Sequence, residues 1–138
     1  MGYLKHDPRK GALISLLGLA VVSSLVLLWF SLPAILVTCI RNEQVQWSGQ
    51  FVGLVPILDG ILPKLIFWRG TDCIPSLKRA LNDDSRFIAA HVYLTHLSRG
   101  PYSVSGAHFN GFYINLYIDK VVIPPNQKEV LIKQWKSK

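Results

Sequence analysis

The sequence has little of several things. Its 138 residues include only two cysteines, Cys39 and Cys73, and one methionine. The cysteines form no CxxC pair, which excludes a zinc ribbon, a thioredoxin-type redox motif and a disulfide scaffold. Acidic residues are scarce, 8 Asp and Glu against 15 Lys and Arg, for a formal charge of +7. No glycine-rich phosphate loop and no GxGxxG fingerprint is present, which removes the motif-bearing nucleotide-binding classes. Ser103 and Ser105 lie near His108, but neither sits in a nucleophile elbow. The most telling lack is local: from Gly11 to Ile40 no residue is charged.

That run, GALISLLGLAVVSSLVLLWFSLPAILVTCI, exceeds the roughly 20 apolar residues that carry a helix across the hydrocarbon core. Its length leaves room for tilt or an extra turn. Pro33 removes one backbone donor and is expected to kink the helix. The run is about twice as long as a signal-peptide core and no small-residue cleavage site follows, so it reads as a retained signal-anchor. Lys5, Arg9 and Lys10 precede it against Asp7; Arg41 and Glu43 follow, with no further charge until Asp59. The positive-inside rule then puts the N-terminus in the cytoplasm and the C-terminal domain on the non-cytoplasmic side.

Composition divides the chain into a basic cytoplasmic tail over 1–10, a transmembrane helix over 11–40, a membrane-proximal apolar segment over 41–70 and a small α+β domain over 71–138. The expected fold is a single-pass membrane protein whose domain comprises a helical hairpin, a β-hairpin and a C-terminal helix.

Within 41–70, the stretch Phe51–Trp68 approaches the hydrophobicity of a span. Pro56, Pro63, Asp59 and Lys64 argue against one, because lipid cannot replace lost backbone donors and a central acid costs about 3 kcal/mol. Leu58-Asp59-Gly60 is a turn sequence. The stretch is too apolar for a solvated linker, so Leu54, Ile57, Leu62, Phe67 and Trp68 are the expected interaction surface. The alternative is a two-span hairpin with Asp59 in an ion path.

Further on, Thr71 or Asp72 can cap a helix that has Pro75 in its first turn. Ile74, Leu77, Ala80 and Leu81 recur at helical spacing. Asn82-Asp83-Asp84-Ser85 breaks that helix, and a second runs from about Ser85 to Ser98, stopped by Arg99-Gly100-Pro101. Asn110-Gly111 is a hairpin dipeptide. Phe112, Ile114, Leu116 and Ile118 alternate with polar neighbours, Asp119-Lys120 turns, and Val121-Val122-Ile123 returns. A last helix over Asn126–Trp135 offers Val130, Leu131 and Trp135 as its apolar face.

The pair IPSLKRALNDDSRFIAAHVYLTHLS, residues 74–98, resembles a single HEAT-type helical repeat. The likeness lies in the opening proline, the Leu77/Ala80/Leu81 spacing, the Asn82-Asp83-Asp84 turn, and Ala89-Ala90 followed by Leu94 and Leu97. It implies protein binding rather than catalysis, and no second copy is present to stack on it.

His91 and His96 lie five apart, whereas metal pairs on one helix face use a spacing of four. His108 is loop-borne. The terminal Lys128, Lys133, Lys136 and Lys138 read as a solvated helix face. No cofactor, no metal and no nucleic acid is expected. The expected partners are the lipid bilayer and other membrane or membrane-proximal subunits, for a non-enzymatic accessory protein. The rival is a small membrane-bound enzyme using His91, His96 or His108 with a nearby acid.

Overall fold

A computed structural model describes residues 8–50, 53–98, 104–105, 108–113, 115–117, 120–122 and 124–138. The chain divides into two compact units, Met1–Leu32 and Pro33–Lys138. Helix α1 spans Pro8–Thr38 and runs through Pro33 without a break. Over Ile14–Thr38 it is long and apolar enough to cross a membrane.

Burial changes along α1. Every side chain from Ile14 to Ser31 is exposed, whereas Pro33, Leu36, Val37 and, just past the helix, Ile40 are buried. The exposed part is about 27 Å long at 1.5 Å per residue, close to the roughly 30 Å hydrocarbon thickness. The hydroxyls on α1 are satisfied within it: Ser24 donates to Ala20 O at 2.8 Å, Ser31 to Leu28 O at 3.1 Å and Thr38 to Ile35 O at 2.6 Å. Such back-bonding is how hydroxyls are accommodated where water is absent. Arg41 closes the C-terminal end, its Nη1 donating to Thr38 O and Ile40 O, both at 2.7 Å. These are carbonyls a helix end leaves without an intrahelical donor.

The second unit is α+β. After α1 and a 3-10 turn at Asn42–Gln44 come strands β1 (Val45–Gln50) and β2 (Gly53–Leu58), paired antiparallel from Val45↔Leu58 to Gln50↔Gly53. Helix α2 (Ile61–Arg69) follows, and a 3-10 turn at Gly70–Cys73 leads into α3 (Ile74–Ala80). The stretch expected to lie along a membrane is therefore a strand and a nine-residue helix. Neither has the length of a second span. Asp59 and Gly60 form the expected turn, with Gly60 at φ 102° and Asp59 exposed.

α3 starts where the sequence puts it, but Thr71 and Asp72 do not cap it. Cys73 occupies the N-cap position without a side-chain bond, and Asp72 pairs with Arg69 at 3.0 Å. The preceding 3-10 turn already supplies helical backbone, so no Asx cap is needed. Asp83 forms the break before α4: its Oδ1 accepts from Ser85 N at 2.9 Å and Ser85 Oγ at 2.7 Å, and its Oδ2 from Arg86 Nη2 at 2.5 Å.

α4 (Phe87–Leu97) is the centre of the core, buried from Phe87 to Thr95 on every side. α3, the α2 side chain Phe67, and the side chains of Phe109 and Trp135 all reach this region. An all-round apolar helix is the signature of such a position. Its first amides are satisfied from 46 residues away: Asn42 Oδ1 accepts from Ile88 N at 2.9 Å and Ala89 N at 3.3 Å, while its Nδ2 donates to Asp84 O at 2.5 Å.

Short strands β3 (Val104–Ser105), β4 (His108–Phe109) and β5 (Phe112–Tyr113) form a small antiparallel sheet. Its β4–β5 turn is Asn110-Gly111, with φ values of 44° and 94°, the primed turn that this dipeptide favours. β6 (Asn115–Tyr117) pairs with β7 (Lys120–Val122), as the second hairpin requires. Ile114, Ile118, Asp119 and Ile123, and the expected stop at Arg99-Gly100-Pro101, lie outside the described residues. α5 (Pro125–Lys136) buries Leu131 and Trp135 but leaves Val130 exposed. Val130 precedes Leu131 by one residue, a 100° rotation that turns it off the core face.

Candidate functional site

Two features stand out from the packed core. The first is the outward face of α2. Its inward side is fixed by the fold, with Pro63, Ile66 and Arg69 buried. Ile61, Leu65 and Trp68 follow at intervals of four and three and share the other side. They are 77%, 38% and 61% exposed, with the exposed Lys64 among them. The Arg69 guanidinium lies 5.8 Å from the Trp68 ring centre and is held on its far side by Asp72. Trp68 is thus backed by a positioned cation while its ring faces outward.

Of the residues singled out in the sequence, Ile57, Phe67 and Trp68 are exposed, while Leu54 and Leu62 are half-buried. Phe67 also packs inward, its ring 5.7 Å from Tyr93 and 6.0 Å from His96. The structure adds Ile61 and Leu65. The period-3.6 recurrence of Ile61, Leu65 and Trp68 was present in the sequence, but a helix apolar on both sides does not announce which side is out.

The second feature is a histidine-aromatic cluster around α4. His91 is fully buried, and its Nδ1 accepts from Trp135 Nε1 at 2.9 Å. Its ring meets Phe109 edge-on at 6.1 Å and Trp135 edge-on at 5.9 Å. Burial pushes its pKa down to about 3; backbone hydrogen bonding at Phe109 and Asn110 works the other way, and the Lys138 charge lowers it further. His91 is therefore neutral at pH 7, and with Nδ1 accepting, its proton sits on Nε2. Beside it, Asn110 Nδ2 donates to Thr95 Oγ1 at 2.7 Å, and Thr95 Oγ1 donates to His91 O at 2.8 Å.

His96 places Nδ1 2.8 Å from Val92 O and stacks on Phe109 at 6.4 Å. His108 is exposed and meets Tyr113 edge-on at 5.1 Å. His91 and His96 thus share a neighbour, Phe109, while His108, on the central strand β4, meets Tyr113 instead. Among the described residues no three His, Cys, Asp or Glu side chains are grouped to hold a metal. Burial also raises the pKa of Tyr93, to about 12, and that of Cys73, whose Sγ lies 3.9 Å from Ile66 O. Cys73 is a buried, inert thiol, while Cys39 is exposed.

His91 and His96 pack against aromatic rings of the core, whereas Ile61, Leu65 and Trp68 on α2 are exposed. Comparison of the chain with protein-family models, with curated proteins and with solved structures finds no match.

Proposed function

We propose that this is a single-pass membrane protein, non-enzymatic, an accessory subunit of a membrane complex whose small domain binds a partner through the outward face of α2. The observation that carries the reading is the Ile61–Leu65–Trp68 stripe, exposed on a helix whose opposite face is locked into the core. A helix that lies in a membrane interface needs a charged face opposite its apolar one. The opposite face of α2 is instead taken up by the core, with Pro63, Ile66 and Arg69 buried, which favours a protein partner over lipid headgroups. An exposed Trp beside apolar neighbours is the composition of an interface anchor, and Lys64 calls for a carboxylate on the partner. The HEAT-like character of α3 and α4 adds to a protein-binding reading.

The anchor is α1. Its exposed length fits the hydrocarbon core, its hydroxyls bond internally, and the positive-inside rule sets the N-terminus in the cytoplasm. The chemistry that a histidine enzyme would need is taken up elsewhere: His91 is neutral and bonded to Trp135, and His96 is bonded to Val92 O.

The test places a photo-reactive benzophenone side chain at Leu65 in the full chain, in its native membrane. Irradiation is expected to give a discrete protein adduct, lost when Ile61→Glu is added, while the protein still resists carbonate extraction. A lipid adduct alone, or an adduct indifferent to Ile61→Glu, would refute the partner reading. Labelling of Asn126→Cys from the cytoplasmic side would reverse the orientation.

A further inference from the structure

Past its exposed part, α1 contributes to a pocket of about 270 Å³ lying wholly within the Pro33–Lys138 unit. Ala34, Val37 and Ala80 give it an apolar floor, and Thr38, Ser76, Arg79 and Arg86 line the rest. Its volume falls just below the ~300–1,000 Å³ of sites for drug-sized ligands. It suits one phosphate-bearing group and is too small for a nucleotide.

The charges in the pocket are unequal. Arg86 is committed, its Nε and Nη2 donating to Asp83 Oδ2 at 2.8 and 2.5 Å. Arg79 is not: its one hydrogen bond runs from Nη2 to Ser76 Oγ at 3.0 Å, and among the described residues no carboxylate lies within ion-pair distance of it. Ser76 accepts that bond and keeps its own hydroxyl proton to donate. The lining thus carries one uncompensated positive charge, a guanidinium fork beside a hydroxyl, which is the donor set that recognises a phosphate.

We infer that this pocket holds the phosphodiester of a phospholipid headgroup, with Arg79 as its principal ligand, Ser76 as a second donor, and Arg86 bound through the Nη1 that Asp83 leaves unused. The source is a lipid rather than a soluble phosphate because of where the pocket sits along α1. This step rests on α1 being a membrane span. If Ile14–Ser31 fills the hydrocarbon core, Ala34, Val37 and Thr38, three to seven residues further along the chain, are membrane-proximal.

The test uses the full chain in a non-ionic detergent and follows thermal unfolding against added short-chain phosphatidylglycerol, the diacylglycerol with the same tails, and inorganic phosphate. A ligand that binds only the folded state raises Tm by an amount that grows with the logarithm of its concentration above Kd. The phospholipid is expected to raise Tm, the diacylglycerol to do nothing, and inorganic phosphate to act only at far higher concentration. Arg79→Gln should weaken the phospholipid response about tenfold, the loss of a charge-assisted hydrogen bond, and Arg79→Lys should lose less. Among the described residues the Arg79 side chain is exposed and bonded only to Ser76, so these variants fold. An equal response to the diacylglycerol, an equal response to inorganic phosphate, or an Arg79→Gln response like that of the parent would each overturn the assignment. Carbonate extraction separates this from the anchor reading. A chain that stays in the membrane but shows no phospholipid response loses only this site, whereas a chain that is extracted loses the anchor.

Discussion

Acidification should loosen the domain through His91 well before the carboxylates titrate. The ring has a folded-state pKa of about 3 against an ordinary 6.5, because burial beside Trp135 and Phe109 disfavours its charged form. Its folded value lies below its unfolded value, so the unfolded chain takes up the proton first. The native state has its full stability above pH 6.5 and loses it as pH falls from there toward 3. Each pH unit inside that window costs up to about 1.4 kcal/mol, so pH 4.5 should cost about 2–3 kcal/mol relative to pH 7. For a domain of this size that is a Tm drop of roughly 10 °C or more. Asp83 does not blur the window: hydrogen bonds from Ser85 and Arg86 lower its pKa to about 2, so its contribution is complete above 3.8 and is lost only as pH falls through 2. The assay is thermal or urea unfolding of the full chain in detergent between pH 7 and 4.5, with His91→Gln as the comparison. Gln still offers Trp135 Nε1 an oxygen acceptor but does not titrate, so its stability should stay nearly flat across the window. A parent chain as flat as His91→Gln, or a His91→Gln chain that falls as steeply as the parent, would refute the buried neutral imidazole.

Asn42→Ala removes the acceptor for Ile88 N and Ala89 N and the donor to Asp84 O. It should cost about 1–2 kcal/mol in urea unfolding and speed hydrogen exchange at the Ile88 and Ala89 amides first, a pattern that an ordinary surface Asn would not give. Gly111→Ala should cost roughly 1–2 kcal/mol, from the left-handed φ that an L side chain resists. At φ 94° the new Cβ would also stand 3.4 Å from Leu131 Cδ2, so Leu131→Ala in the same chain should recover little of the loss.

Much of the fold could be read locally. The apolar run, the α3–α4 helical pair with its Asn82–Ser85 break, the Asn110-Gly111 turn and the terminal helix each depend on neighbouring residues, and all are present. What escaped depends on distant ones. The β1–β2 hairpin was hidden because the alternation of Val45–Ser48 is short and Gly53–Leu58 has none to distinguish a strand from an interfacial segment, and its register is set by partners up to 13 residues apart. The Asn42 cap on α4 joins residues 46 apart, which no local rule sees. His91 looked like one of two unrelated histidines. Its role appears only when α5 brings Trp135 to it across 44 residues. The interaction surface was read as a need for cover, and of the Ile61–Leu65–Trp68 stripe Trp68 alone was singled out by residue. Choosing Ile61 and Leu65 over Leu54 and Leu62 required knowing which side of α2 the core takes.

The longest run of the sequence hides the clearest boundary in the structure. Composition is uniform from Gly11 to Ile40, so its excess over a span invited tilt, a kink at Pro33, or an extra turn, and placed the domain after residue 40. Burial divides it instead near Leu32–Pro33: Ile14–Ser31 are exposed, whereas Pro33, Leu36, Val37 and Ile40 belong to the core of the second unit. Both environments select Leu, Ile, Val and Ala, and hydrophobicity alone cannot tell lipid from protein interior. Periodicity can: Pro33, Leu36, Val37 and Ile40 recur at three, one and three residues, one face of a helix, while Ala34, Ile35, Thr38 and Cys39 occupy the other. The last turns of α1 are thus an amphipathic core helix fused to an all-round apolar one. A proline tolerated at the junction, where the domain covers it, marks the point at which one set of selection rules gives way to the other.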